Sequence, residues 1–222
     1  TLKKASAPVK QSAPSGTLPT LLQPRPKDHH YGKYGRDSAE CVKYLSYYTE
    51  YYKQKDYDRA IIWWRDAYRV CPSDSRYSML SDGTTLLRKQ MTKNISASYK
   101  RQLLDSLKTL YAERIEYFPK YSQSSLNNFG LDMINYMDGS SLELWEILRE
   151  VAGKLQMNAR DLIVLKYLEL TGTLYQSGKI TKNDVQAAYD FGYRCSKEMA
   201  SDKLKVEILP FLDMLNSYLG GS

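Results

Sequence analysis

From Asp37 onward the 222-residue chain repeats its apolar residues at helical spacing, broken only by short punctuation. The breaks are Lys55-Asp56, Pro72-Ser73, Pro119, Gly139-Ser140, Gly178 and Thr181, residue types that stop or start helices. No segment alternates apolar and polar residues as a half-buried strand does. The pattern predicts helices over 37–53, 57–70, 75–90, 97–117, 122–137, 141–156, 160–177, 182–200 and 203–218. Pro210 falls inside the last of these and predicts a kink or a restart. Thr181 and Asp184 have capping-box spacing, with Asp in place of the usual Glu. Long helices joined by short turns form antiparallel hairpins side by side. The expected fold is therefore all-α, about four hairpins and a closing helix in one domain over residues 31–222.

Residues 1–30 follow another rule. Pro8, Pro14, Pro19, Pro24 and Pro26 are spaced by Ser, Ala and Lys, which predicts an extended Pro/Lys-rich leader. Leu18, Leu21 and Leu22 form a small apolar knot in it, able to dock on a partner or on the domain itself. Lys3, Lys4, Lys10, Arg25, Lys27, Lys33 and Arg36 face Asp28 alone across residues 1–36, so nearly all of the net charge of +7 sits there. Such a tail suits nucleic acid, anionic lipid or an acidic partner, or is simply solvated. No run of about 18 apolar residues is present, so no transmembrane helix is expected. Whether a signal peptide or lipid anchor precedes Thr1, and whether Gly220-Gly221-Ser222 is native, is left open by the sequence.

Catalytic and metal motifs are not found. The two histidines, His29 and His30, lie in the leader, and no HExxH, CxxC, phosphate-binding glycine loop or EF-hand loop occurs. No cofactor, metal or catalytic residue is assigned, and the expected role is binding. Tyrosine is abundant, 20 residues against 4 Phe, as in thin-layered folds whose rings pack while their hydroxyls stay at a polar edge.

Helical hairpins of similar length invite a test of period. With Cys41 as position 1 of a 34-residue unit, Tyr44, Tyr47, Tyr51, Ala60, Trp64, Ala67 and Pro72 fall on the structural positions of the tetratricopeptide repeat (TPR). Ala60 and Ala67 are small where a facing helix crosses closely, Trp64 fills the space between units, and Pro72 stops the second helix. Tyr48 departs from the pattern, so either the helices spread there or its ring turns outward. Later units are degenerate: Leu107 and Tyr111 stand in one, and Tyr167, Gly172, Tyr175 and Ala188 in another. The expected architecture is a TPR-like α-solenoid.

Residues 33–72, KYGRDSAECVKYLSYYTEYYKQKDYDRAIIWWRDAYRVCP, resemble the opening hairpin of exported TPR proteins of the Bacteroidota. The matching residues are Lys33, Tyr34, Gly35, Asp37, Ser38 and Cys41, then Leu45, Ser46, Tyr48, Glu50, Tyr52, Lys53 and Gln54, then Trp64, Arg65, Ala67, Cys71 and Pro72. DGTTLLRKQ (82–90) and the run Tyr111–Phe118 are also similar. The resemblance covers residues 31–220 and implies residence in the periplasm or on the outer membrane, as a scaffold and not an enzyme.

In a TPR hairpin, positions 1 and 31 share one open end, which makes Cys41 and Cys71 candidates for a disulfide or for two neighbouring buried thiols. Cys195 is expected to be buried. The inner groove of the first unit would present Val42, Leu45, Thr49, Tyr52 and Lys53, a mostly apolar strip suited to a helix or extended segment of a partner. Trp63, about 100° round the helix from Trp64, is either packed under the leader or an anchor for a partner. The function expected is a non-catalytic protein-interaction scaffold of the cell envelope, in a complex of the secretion or outer-membrane-assembly class. Its protein partners would be envelope or outer-membrane proteins, and nucleic acid is not expected. The alternative is an aromatic-rich module binding glycan or peptidoglycan.

Overall fold

The computed structural model describes residues 22–27 and 31–220. The apolar knot residues Leu18 and Leu21 and the histidines His29 and His30 lie outside the described residues. Within them the chain is all-helical: α1 (Ser38–Lys53), α2 (Tyr57–Val70), α3 (Tyr77–Met91), α4 (Ala97–Tyr117), α5 (Ser122–Tyr136), α6 (Leu142–Leu155), α7 (Asp161–Gln176), α8 (Lys182–Glu198), α9 (Asp202–Glu207) and α10 (Leu209–Leu219). Short 3-10 turns at Pro119–Tyr121 and Gln156–Asn158 join α4 to α5 and α6 to α7.

Local sequence sets these boundaries. Asp56, Ser96 and Ser141 each accept a hydrogen bond from a backbone N–H in the first turn of α2, α4 and α6. Thr181 and Asp184 form a full capping box at α8. The expected last helix breaks in two. α9 ends before Ile208, and Pro210 lies in the first turn of α10, where its missing N–H costs nothing. Gly220 closes α10 in the left-handed conformation, φ +92°.

Each helix packs on the next in sequence, α1 on α2 through to α7 on α8; α10 then folds back on both α7 and α8. This serial packing is consistent with an α-solenoid. One continuous core runs through it, from Tyr48, Trp64 and Met79 to Phe191, Leu204 and Leu215.

Side chains of the first hairpin explain its tight join to the second. Ala60 and Ala67 are fully buried, and Pro72 is buried beyond the end of α2. Trp64 lies against α3: its Nε1–H donates to the Met79 carbonyl at 2.7 Å, and its ring stacks on Tyr68 with centroids 5.1 Å apart. Gly83 makes room for it, since a Cβ there would lie 2.3 Å from Trp64 Cζ2. Tyr48 does not turn outward. It is fully buried and its hydroxyl donates to Asp82 Oδ2 across to α3 at 3.3 Å. Burial, and then the Asp82 charge, push that phenol up to about 12.

Polar side chains tie the next layer. The Tyr111 hydroxyl and Arg88 Nη1 both donate to Asp132 Oδ2, at 2.6 and 3.0 Å, linking α4 and α3 to α5. Arg114, itself buried, donates to Tyr77 Oη and Thr84 Oγ1. Further along, Trp145 Nε1 donates to Thr171 Oγ1 at 2.9 Å, joining α6 to α7.

Candidate functional site

Two surfaces of the first two hairpins bring chemistry together. The first is the free end of the stack, on α1 and α2. Cys41 opens α1 and Cys71 follows α2, and antiparallel packing sets their Cα atoms 5.0 Å apart, joined by a disulfide. Tyr44, one turn below Cys41, stacks on Trp63 at 6.1 Å between centroids, and Tyr47 meets the same indole edge-on at 4.9 Å. Trp63 is half-buried by these rings, while Tyr47 stays 45% exposed. No contact joins Trp63 to the described leader residues 22–27 in the hydrogen bonds or ring pairs. Tyr51 lies one turn further on, half-buried, with the Arg59 guanidinium 5.0 Å from its ring centre.

The expected groove strip is divided. Val42 and Lys53 are exposed and Thr49 is half-buried, its hydroxyl donating back to the Leu45 carbonyl at 2.6 Å. Leu45 is only 3% exposed and belongs to the core, a correction to its expected place in the strip. α1 is rotated so that Leu45 and Tyr48 turn inward, toward the packing that carries Tyr48 to Asp82. Tyr52 is half-buried, packed edge-on against Tyr57 at 5.5 Å.

The second surface lies between α2 and α4; a leader docked on the domain itself was one of the two expectations, but not its place here. Part of the leader occupies it. Leu22 is 1% exposed and joins the core cluster. Arg25 is read from all sides. Its Nε donates to Glu113 Oε1 at 2.6 Å and its Nη2 to Oε2 at 3.4 Å, while Nη1 donates to the Tyr68 carbonyl. The guanidinium also lies 3.5 Å over the Tyr68 ring centre. Arg25 N–H donates to Glu113 Oε1, and the Tyr117 hydroxyl donates to the Arg25 carbonyl. Lys27 follows, 4.7 Å over the Tyr117 ring and 3.6 Å from Asp74.

Glu113 is the centre of this surface. It is 0% exposed, and Tyr68 Oη and Ser73 Oγ donate to the same Oε1 at 3.1 and 3.3 Å. Among the described residues its ion pair is with Arg25. The Tyr68 hydroxyl is held well above the usual phenol range, by burial first and by the Glu113 charge second. The signal for Arg25 in the sequence was only its place between Pro24 and Pro26. Glu113 carried none, because nothing separates a buried Glu from an exposed one until the helix face is known.

Other reactive groups are spent internally. Cys195 is buried on α8, and burial pushes its thiol up to about 12. No helix among the described residues is long and apolar enough to cross a membrane. Comparison with protein-family models, curated proteins and solved structures finds no match to this chain.

Proposed function

We propose that this chain is a TPR-like scaffold that binds other proteins of the bacterial cell envelope, without catalysis of its own. The observation that carries the reading is the ring cluster at the N-terminal end of the stack, where Tyr44 and Tyr47 pack on Trp63. Repeat arrays need polar capping at their ends. At the C-terminal end α10 covers α7 and α8, leaving Val206 and Leu209 exposed. At the other end Tyr47 and Val42 stay 45% and 44% exposed beside the half-buried Tyr44 and Trp63, a surface of the kind that marks protein contacts. Ser38, Gly35 and the other residues resembling the exported Bacteroidota TPR proteins lie in and just before this same hairpin.

The disulfide supports an oxidising compartment, such as the periplasm, because cytosolic thiols are kept reduced. The secretion or outer-membrane-assembly class of complex fits that location. Glycan binding is less favoured: Tyr44 stacks with its ring plane 22° from that of Trp63, occupying a face that a sugar would need. The test is retention on the immobilised full chain of detergent-solubilised outer-membrane proteins and, separately, of purified peptidoglycan. Protein retention that falls with Tyr47→Ser supports the scaffold. Peptidoglycan retained in place of protein refutes it.

A further inference from the structure

The α2–α4 cleft has the properties of a receptor, with its ligand supplied by the chain's own leader. Glu113 is fully buried with Arg25 in place, and the helical body itself contributes two donors to it, the hydroxyls of Tyr68 and Ser73. A buried carboxylate without a counter-ion is strongly unfavourable. The body nevertheless supplies no Lys or Arg as an ion-pair partner to Glu113 among the described residues; the cation comes from the extended segment. Recognition extends beyond charge. The Tyr68 ring and carbonyl read the guanidinium, and Tyr117 and Glu113 read the Arg25 backbone carbonyl and N–H. A fork of several donors suits Arg and not Lys.

The cleft also continues past its occupant. Lys27 lies at Tyr117 and Arg25 one turn earlier on α4, at Glu113. Further along α4 in the same direction, a cavity of about 330 Å³ opens, lined by Trp64, Tyr68, Leu87, Tyr99, Leu103 and Ser106 among others. Tyr68 is shared between the arginine slot and this cavity. Its mixed lining, with Leu87 and Leu103 beside Arg65, Gln102 and Ser106, offers a further side-chain subsite next to the arginine slot.

We propose that this cleft is an arginine-reading peptide site. Its ligand is an extended partner segment with an arginine between prolines and a leucine three residues earlier, and residues 22–27 are an exchangeable strap that holds the site closed. The proposal rests on the scaffold reading for its biological sense, but it concerns other residues than the Tyr47 cluster and fails or stands separately.

The test keeps the full chain. A protease site placed at residues 28–30 allows the strap to be cut from the body without removing it. A labelled peptide of residues 18–27, LPTLLQPRPK, is then titrated into cut and uncut protein. Saturable binding to the cut chain, at least about 10-fold weaker to the uncut chain, is expected for a displaceable strap. Replacing the peptide's arginine with alanine should weaken binding at least about 30-fold, and with lysine at least about 10-fold. In the body, Glu113→Gln should do the same; Tyr117→Phe, which removes only a hydroxyl, should weaken it several-fold and covers the case where Glu113→Gln fails to fold. Unfolding on cleavage, a strap that never exchanges, or equal binding of the alanine peptide would each overturn the proposal. A concentration-dependent dimer of the uncut chain that Arg25→Ala abolishes would assign the cleft to a second copy and overturn a foreign partner as its occupant.

Discussion

Gly83→Ala separates helix propensity from packing at the join of the first two hairpins. Position 83 lies in the middle of α3, where alanine in place of glycine ordinarily stabilises by about 1 kcal/mol. Here the new methyl would sit 2.3, 2.6 and 2.8 Å from Cζ2, Cε2 and Nε1 of Trp64. The indole cannot swing aside freely: it is 3% exposed, stacked on Tyr68, and bonded to the Met79 carbonyl. Overpacking of this kind costs about 1–3 kcal/mol, and a weakened buried hydrogen bond about 1 kcal/mol more. The net expectation is a loss of about 1–3 kcal/mol, or a fall in Tm of about 2–12 °C for a chain of this size. Urea unfolding under non-reducing conditions measures it. The decisive control is the same change in a Trp64→Leu background. With the ring gone, Gly83→Ala should become stabilising by about 1 kcal/mol, for a coupling of about 2–4 kcal/mol. A Gly83→Ala variant as stable as wild type or more so, with no coupling to position 64, would refute the reasoning.

Three further outcomes are expected. Reducing the Cys41–Cys71 bridge, which closes a loop of 30 residues, should cost about 3.5 kcal/mol, and reductant should leave the Cys41→Ser/Cys71→Ser variant unchanged in the same urea titration. Asp82 is held above its ordinary carboxylate value by burial, which the Tyr48 hydrogen bond only partly offsets. A raised folded value means that stability is complete at acid pH, below the unfolded value, and is lost as pH rises through the folded value. Asp82→Asn should therefore be more stable than wild type at pH 7, with the gap closing near pH 3, as thermal melts across that range can check. Thr181→Ala breaks the capping box at α8 and should cost about 1 kcal/mol by denaturant unfolding, without loss of the other helices.

Much of the fold was legible because helix punctuation is local. Asp56 and Thr181 cap where their sequence context places them, and Pro210 restarts the last helix. Trp64, Ala60 and Ala67 were readable because their sizes report a close helix crossing, and the Cys41–Cys71 pairing because antiparallel geometry brings both ends of a hairpin together. The rotation of α1 was not readable. Leu45 and Tyr48 turn inward, where Tyr48 meets the half-buried Asp82 of α3, a partner 34 positions away. Arg25 and Glu113 were hidden for the same reason at greater distance, 88 positions apart. The part played by the runs 82–90 and 111–118 was not readable from the sequence either. In the structure they supply Asp82, Gly83, Thr84, Arg88, Tyr111 and Arg114, the groups that lock α1 through α5 together.

The most direct measurement is in-cell crosslinking from the free end of the stack. A photo-reactive residue at position 47 in the full chain, tagged at its C-terminus, is compared with one at exposed Lys203 on α9. The scaffold account predicts discrete adducts with envelope proteins from position 47, reduced by Trp63→Ser and missing from position 203. Equal, diffuse labelling from both positions, or adducts with cytoplasmic proteins or nucleic acid, would contradict it.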